Sequence, residues 1–230
     1  MKLIVFYFAV FFPIQALADV ASPYVTSSPS QHIIKASHGE DKTLVDYRRE
    51  WAEIKYQSKA SDEAKVEQLE ALATKLGGLA EHAPDNLEAQ IWQATALSTK
   101  ASLIGGVGAL GDLKKAKKIF ENVLEVNPKA GNGQAHVILG ALYHKVPGWP
   151  IAFGNKKKAK KNLEAGIALN PDGMEPNYFY AEFLVETKDY AAARTYLKKA
   201  MAATDMDGFP VFAKGRKAED REMLNNIEGK

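Results

Sequence analysis

Over most of the chain the apolar residues return every third or fourth position. Leu44, Tyr47, Trp51 and Ile54 form one such series, and Leu69, Leu72 and Leu76 form another between Ser61 and the Gly77-Gly78 pair. That spacing places each series on one face of an α-helix. Asp85-Asn86-Leu87-Glu88 reads as a helix start, with an acid in capping-box position, and leads into the run "LEAQIWQATALSTK". No convincing strand pattern interrupts these segments. The pattern predicts an all-α protein.

The helices repeat. "GALGDLKKAKKIFENVLEVNPKA" at 108–130 aligns with "IAFGNKKKAKKNLEAGIALNPDG" at 151–173, matching Ala116 to Ala159, Glu121 to Glu164 and Asn127-Pro128 to Asn170-Pro171. Within each unit a small residue is followed by a large apolar one, a slim one and then a proline: Ala116, Phe120, Val123, Pro128, and again Ala159, Leu163, Gly166, Pro171. Ala193, Leu197 and Ala200 continue the series, with Asp205 at the proline position. Small residues let two helices approach, the large one fills the space between them, and proline ends the helix because its predecessor avoids helical dihedrals. A partner helix precedes each of these, at 92–99, 136–143 and 177–184. The expectation is a chain of about four helical hairpins.

Ala181, Leu184, Ala193, Leu197 and Ala200, with Asp189-Tyr190 at the turn and Gly140 and Tyr143 one unit earlier, resemble the tetratricopeptide repeat family. The resemblance covers roughly 62–204 and implies stacked hairpins in a solenoid with a concave groove. Pro84, Pro128 and Pro171 stand 44 and 43 residues apart, against about 34 in the usual repeat. The surplus falls at two hairpin turns, "SLIGGVGALGD" and "KVPGWPIAFGN". The stretch from Tyr143 through Trp149, Pro150 and Phe153 into "KAKKNLEAGIALNPDG" and "NYFYAEFLVE" is similar to a narrower group, exported bacterial tetratricopeptide proteins like the T component of TRAP-type transporters. That resemblance implies a periplasmic helical protein associated with the substrate-binding subunit of a solute transporter and able to oligomerise. Members of that group are commonly lipoproteins, whereas this chain has no cysteine to carry a lipid.

Gly106, Gly108 and Gly111 spell G-x-G-x-x-G. A dinucleotide site needs a strand before that motif and an acid about twenty residues later at the end of another strand. Here a helix precedes it, Glu125 falls within the next helix, and Asp112 stands where a phosphate loop needs lysine. The glycines belong to an interhelical turn. Both inserted turns are apolar and end in a glycine followed by a capping residue, Asp112 or Asn155. Equivalent turns of a solenoid lie side by side. Val107, Leu110, Pro147, Trp149, Pro150, Ile151 and Phe153 are therefore expected on one apolar rim, with Trp149 partly buried. The rim is either a lid on the core or a surface for a protein, peptide or small apolar ligand. Trp92 and Tyr143 are further candidate contacts. In "YFYAEF", Phe179 and Phe183 are expected in the core, and Tyr178 or Tyr180 at a contact.

The ends have a different character. Lys2, an apolar run over 3–14 and Ala16-Leu17-Ala18 read as a secretory signal cleaved between Ala18 and Asp19, too short to span a bilayer. Residues 19–42, rich in serine and proline, are expected as a flexible lead segment, 43–204 as the helical repeat domain, and 205–230 as a capping segment. Its helix is expected from Lys214 to Ile227 with Met223, Leu224 and Ile227 inward. The expected product is an exported, soluble periplasmic protein without a stable membrane anchor.

Composition narrows the chemistry. With 46% hydrophobic and 25% charged residues the chain is ordinary globular protein, and its formal charge of +2 gives no reason to expect a nucleic-acid partner. Without cysteine there are no disulfides and no thiolate chemistry. The five histidines form no H-x-x-x-H pair, His136 and His144 are expected on a helix surface, and no nucleophile motif or carboxylate pair stands out. No cofactor, metal or catalytic residue is expected. The lysine clusters Lys114, Lys115, Lys117, Lys118 and Lys156, Lys157, Lys158, Lys160, Lys161 are expected on a solvated face, with anionic partners or lipid headgroups as the alternative. The combined expectation is a non-enzymatic exported scaffold, with a groove and loop rim for an envelope protein, a peptide or the binding subunit of a solute system, and with self-association as a further expectation. A small-ligand carrier is the second expectation.

Overall fold

The apolar stripes become helices in the positions their spacing indicates. The computed structural model describes residues 39–204 and 209–230, with side chains from Leu44 onward. The expected signal peptide, its cleavage between Ala18 and Asp19, and the lead segment up to residue 38 lie outside the described residues. Nine α-helices follow among the described residues: α1 (Gly39–Tyr56), α2 (Asp62–His82), α3 (Leu87–Ile104), α4 (Leu110–Val126), α5 (Gln134–Lys145), α6 (Lys156–Leu169), α7 (Met174–Glu186), α8 (Tyr190–Ala202) and α9 (Pro210–Asn226). The first eight pair as four antiparallel hairpins, and each hairpin stacks on the next. The fold is an all-α solenoid of stacked helical hairpins.

Local chemistry sets the ends. The side chains of Ser61, Asn86, Asn155 and Asp189 each accept a hydrogen bond from the backbone N–H three residues on, satisfying a donor that the first turn leaves open. Pro84, Pro128 and Pro171 stand just beyond α2, α4 and α6, as the repeat requires. Between the helices the small–large pattern is realised as packing. Ala116, Ala159 and Ala193 have no exposed surface, and Phe120, Leu163 and Leu197 fill the space their neighbours leave.

The first inserted turn departs from expectation. Helix α3 continues to Ile104, a single 3-10 turn covers Val107–Ala109, and α4 begins at Leu110, so Gly111 is already helical. Asp112 is not a cap. It lies in the first turn of α4 with its carboxylate 2.9 Å from the buried Lys100 ammonium, which also meets Glu70. Lysine at an apolar seam needs such partners, because an unpaired buried ammonium is costly. Asn155 caps α6 as expected.

The C-terminal helix does more than cover the last hairpin. It begins at Pro210 rather than Lys214, with proline in the first turn, where a missing N–H costs nothing. Its C-terminal half lies on α8 through Met223, Leu224 and the fully buried Ile227. Its N-terminal half crosses to α1, where Phe212 meets Trp51 at 6.0 Å and Tyr56 at 6.2 Å between ring centroids. Gly215 makes the crossing possible, since a Cβ there would sit 2.3 Å from the Tyr56 ring. Helix α9 thus ties the last hairpin to the first.

Candidate functional site

The groove expected to receive a partner is occupied by α9. Its floor comes from α1, α3 and α7, which present Trp51, Trp92, Tyr178 and Phe179. Phe209, Phe212 and Arg216 of α9 lie on that floor. Trp92, edge-on to Trp51 at 5.4 Å, and Tyr178 are both buried, which removes two of the candidate contact residues from the surface. Between Arg48, Trp51, Trp92, Glu175, Phe209 and Phe212 a cavity of about 10 Å³ remains, room for roughly one water molecule.

Arg216 holds this closure together. The residue is 2% exposed, its guanidinium lies 4.1 Å from the Tyr178 ring centroid and 4.9 Å from that of Phe179, and it pairs with Glu175 at 3.2 Å and with Glu219. Lys55 reaches the same Glu219 at 3.4 Å, and Tyr56 donates its hydroxyl to that carboxylate. Burial pushes the Glu219 carboxyl up, but Arg216 and Lys55 outweigh it and hold it below the usual range. Burial pushes the Tyr56 and Tyr178 phenols well up. One turn beyond, Asp220 has no exposed surface and neither oxygen has a hydrogen-bond partner. Burial pushes its carboxyl up to about 7, against the pull of Arg216. This charged cluster was not foreseen from the sequence. Its signal is the single face on which Phe209, Phe212, Ala213, Arg216 and Asp220 follow one another at helical spacing.

The loop rim divides into a buried and an exposed half. Tyr143 is buried, its hydroxyl donating to Glu121 at 2.6 Å, and burial pushes its pKa above the ordinary range. Phe153 turns inward, edge-on to Tyr143 at 5.9 Å and under the Lys117 ammonium at 5.7 Å, filling space beneath the second turn. Leu110 also packs on the core. Trp149 does the opposite of what is expected of it and is 90% exposed, with Ile151 53% and Val107 75% exposed. The physical reason is the closure of the second turn on itself: Gly154 N–H donates to the Pro147 carbonyl at 2.8 Å, and Ile151 N–H to that of Gly148 at 3.1 Å. Gly154 is essential to this, since a Cβ there would lie 1.8 Å from the Val146 carbonyl oxygen. A turn so closed points the residues at its tip, Trp149 included, away from the core.

Tyr180 is half-buried, edge-on to Tyr196 at 4.8 Å and stacked with Phe183 at 6.3 Å, its hydroxyl 3.4 Å from Glu164. Phe183 is in the core as expected, while Phe179 is only partly covered. His136 meets Asn162 at 2.9 Å. His144 is not on the surface: its side chain is 1% exposed, packed on Phe183 with Nε2 3.2 Å from Glu186. Among the described residues no group of three histidine, aspartate or glutamate side chains is arranged to hold a metal, and no helix is long and apolar enough to cross a membrane.

Comparison with known proteins identifies the family. No curated protein matches the chain. A thermophilic tetratricopeptide protein of Thermus thermophilus, TTC0263, superposes with a TM-score of 0.49 at 20% identity, over 80% of this chain and 91% of its own. An ArsTM double mutant of MamA RS-1 superposes at 0.45 with 19% identity, over 84% and 97%. The model of the family described as TRAP transporter T-component matches residues 45–212, from α1 through the whole repeat to the start of α9. The chain belongs to the TRAP transporter T-component family.

Proposed function

We propose that this chain is an exported, non-catalytic scaffold of the bacterial envelope that holds a protein partner, the substrate-binding subunit of a solute transporter. The observation that carries the reading is the family match over 45–212, joined to a helical repeat whose charged residues are spent on its own closure rather than on a reactive site. The protein acts in the periplasm after loss of residues 1–18. Self-association into a small oligomer accompanies partner binding.

The partner docks on the surface away from the groove, because α9 occupies the groove. Tyr180 beside Tyr196 supplies the aromatic contact: a phenol offers area and a hydrogen bond at low entropic cost, and such residues dominate interface energetics. In affinity capture from periplasmic extract, the wild-type chain is expected to retain the solute-binding subunit. Tyr180→Ala is expected to weaken that capture about tenfold, the usual effect of losing one anchor, without altering the helical circular dichroism. Capture of the subunit with equal strength by Tyr180→Ala would remove this residue from the interface. Failure of the wild-type chain to retain any such subunit would remove the function.

A further inference from the structure

The exposed half of the loop rim has no role in the closure of the groove, and Trp149 is the most exposed of the large apolar residues among those described. The second turn is fixed to the body: Asn155 N–H donates to the Tyr143 carbonyl at 2.8 Å, and Lys117 of α4 covers Phe153. Trp149 is therefore held outward by a hydrogen-bonded turn rather than left out by a slack one. Lysine predominates in the segments that flank this tip in the repeat. Segments 110–120 and 146–161 carry nine lysines and a single acid, Asp112, which is neutralised by Lys100. Of these lysines, Lys117 pairs with Glu121 and Lys160 with Glu164, and Lys158 lies over the Tyr143 ring. Lys114, Lys115 and Lys118 of α4 and Lys156, Lys157 and Lys161 of α6 are exposed, with no carboxylate within ion-pair distance among the described residues.

We propose that this edge is a membrane-docking face that seats Trp149 and Ile151 in the interfacial region of a bilayer rich in anionic phospholipid, while the free lysines of α4 and α6 meet its headgroups. Three observations favour a lipid surface over a protein one. Trp149 projects from the tip of its turn, 90% exposed, rather than lining a recess that a partner side chain could fill. Its side chain joins an apolar ring to an N–H donor, the combination that settles at the boundary between hydrocarbon and water. The patch is lysine without a single arginine, whereas protein interfaces are depleted in lysine and enriched in arginine. A spread of unpaired lysines suits a fluid anionic surface, which needs no fixed geometry. Docking of this kind is reversible, since one small apolar tip plus a basic patch is far weaker than a spanning helix.

Trp149 also provides the readout. Trp51 and Trp92 are buried, so the part of the emission that arises from solvent-exposed indole comes from Trp149. The full chain is titrated with vesicles of phosphatidylglycerol and phosphatidylethanolamine, and separately with phosphatidylcholine, while emission and co-sedimentation are followed. The expected result is a blue shift and co-sedimentation with the anionic vesicles only, both reversed by high salt. Trp149→Ala is expected to lower partitioning about tenfold or more. The triple variant Lys156→Glu, Lys157→Glu, Lys161→Glu is expected to lower it on the order of 100-fold. All four positions are exposed, and unchanged circular dichroism confirms that the variants fold. Equal binding to neutral vesicles, no shift with anionic vesicles, or binding untouched by these substitutions would overturn the proposal. So would shielding of Trp149 by an acidic protein but not by vesicles.

Discussion

Arg216→Ala should destabilise the fold by about 3–5 kcal/mol, the cost of removing one partner from a buried ion pair. The guanidinium is 2% exposed and lies between Glu175 and Glu219. Without it two carboxylates are left facing each other in a poorly solvated space, with Lys55 as the remaining cation on Glu219. The aromatic platform of Tyr178 and Phe179 loses its cation as well. Urea denaturation followed by circular dichroism gives the difference directly. The companion variant Lys55→Met, Glu175→Gln, Arg216→Met, Glu219→Gln removes both cations and both carboxylates of these ion pairs and should recover much of the loss, because an apolar or neutral replacement of a complete buried pair is often close to neutral. A single-variant loss under about 1 kcal/mol would mean that α9 does not close the groove in solution.

The second large effect is on pH. The Asp220 carboxyl is pushed up to about 7 by burial, against the pull of Arg216, Arg221 and Lys217 and with the help of Glu219. In the unfolded chain an aspartate loses its proton near pH 4. Between these values the folded protein holds a proton that the unfolded chain has released, so stability falls as pH rises through this window. The slope approaches about 1.4 kcal/mol per pH unit, a total of about 4 kcal/mol. Glu121, Glu186 and Glu219 have the opposite sign, being held below the usual range by their partners. Their contribution is present above the ordinary carboxylate pKa and disappears only as the solution becomes more acidic than that. Maximum stability is therefore expected near pH 5, with a decline toward pH 8. Asp220→Asn should flatten that decline and exceed the wild type at pH 8. A wild-type profile that rises from pH 5 to pH 8 would contradict the assignment.

The fold was legible because its determinants are local and repeated. Ala116, Phe120 and Val123 and their counterparts in α6 and α8 specify which face of each helix is buried, and Pro128 and Pro171 specify where helices stop. The closure was not legible. Contacts such as Tyr56 with Glu219 join residues 163 positions apart, and no periodicity within one helix shows where its far partner lies. Charged residues at core positions of α9 also read as solvent-facing, since arginine and aspartate are rarely buried without partners elsewhere in the chain. The rim was half legible. Apolar composition placed Phe153 and Trp149 in one class, but turn closure through Gly154 and Pro147 sends one inward and the other out. The groove candidates Trp92 and Tyr178 failed for the same reason as the closure: their occupant is the chain's own C-terminal helix.

A protein partner held away from a groove that α9 keeps covered leaves a definite pattern of backbone protection. Hydrogen–deuterium exchange of the chain, alone and with the captured solute-binding subunit, reads that pattern helix by helix. New protection is expected in α7 and α8 around Tyr180 and Tyr196, with α1 and α9 exchanging as slowly in the complex as in the free protein. Faster exchange in α9, with protection transferred to α1 and α3, would show instead that the partner displaces α9 and enters the groove, so that the covered groove is not the form that binds.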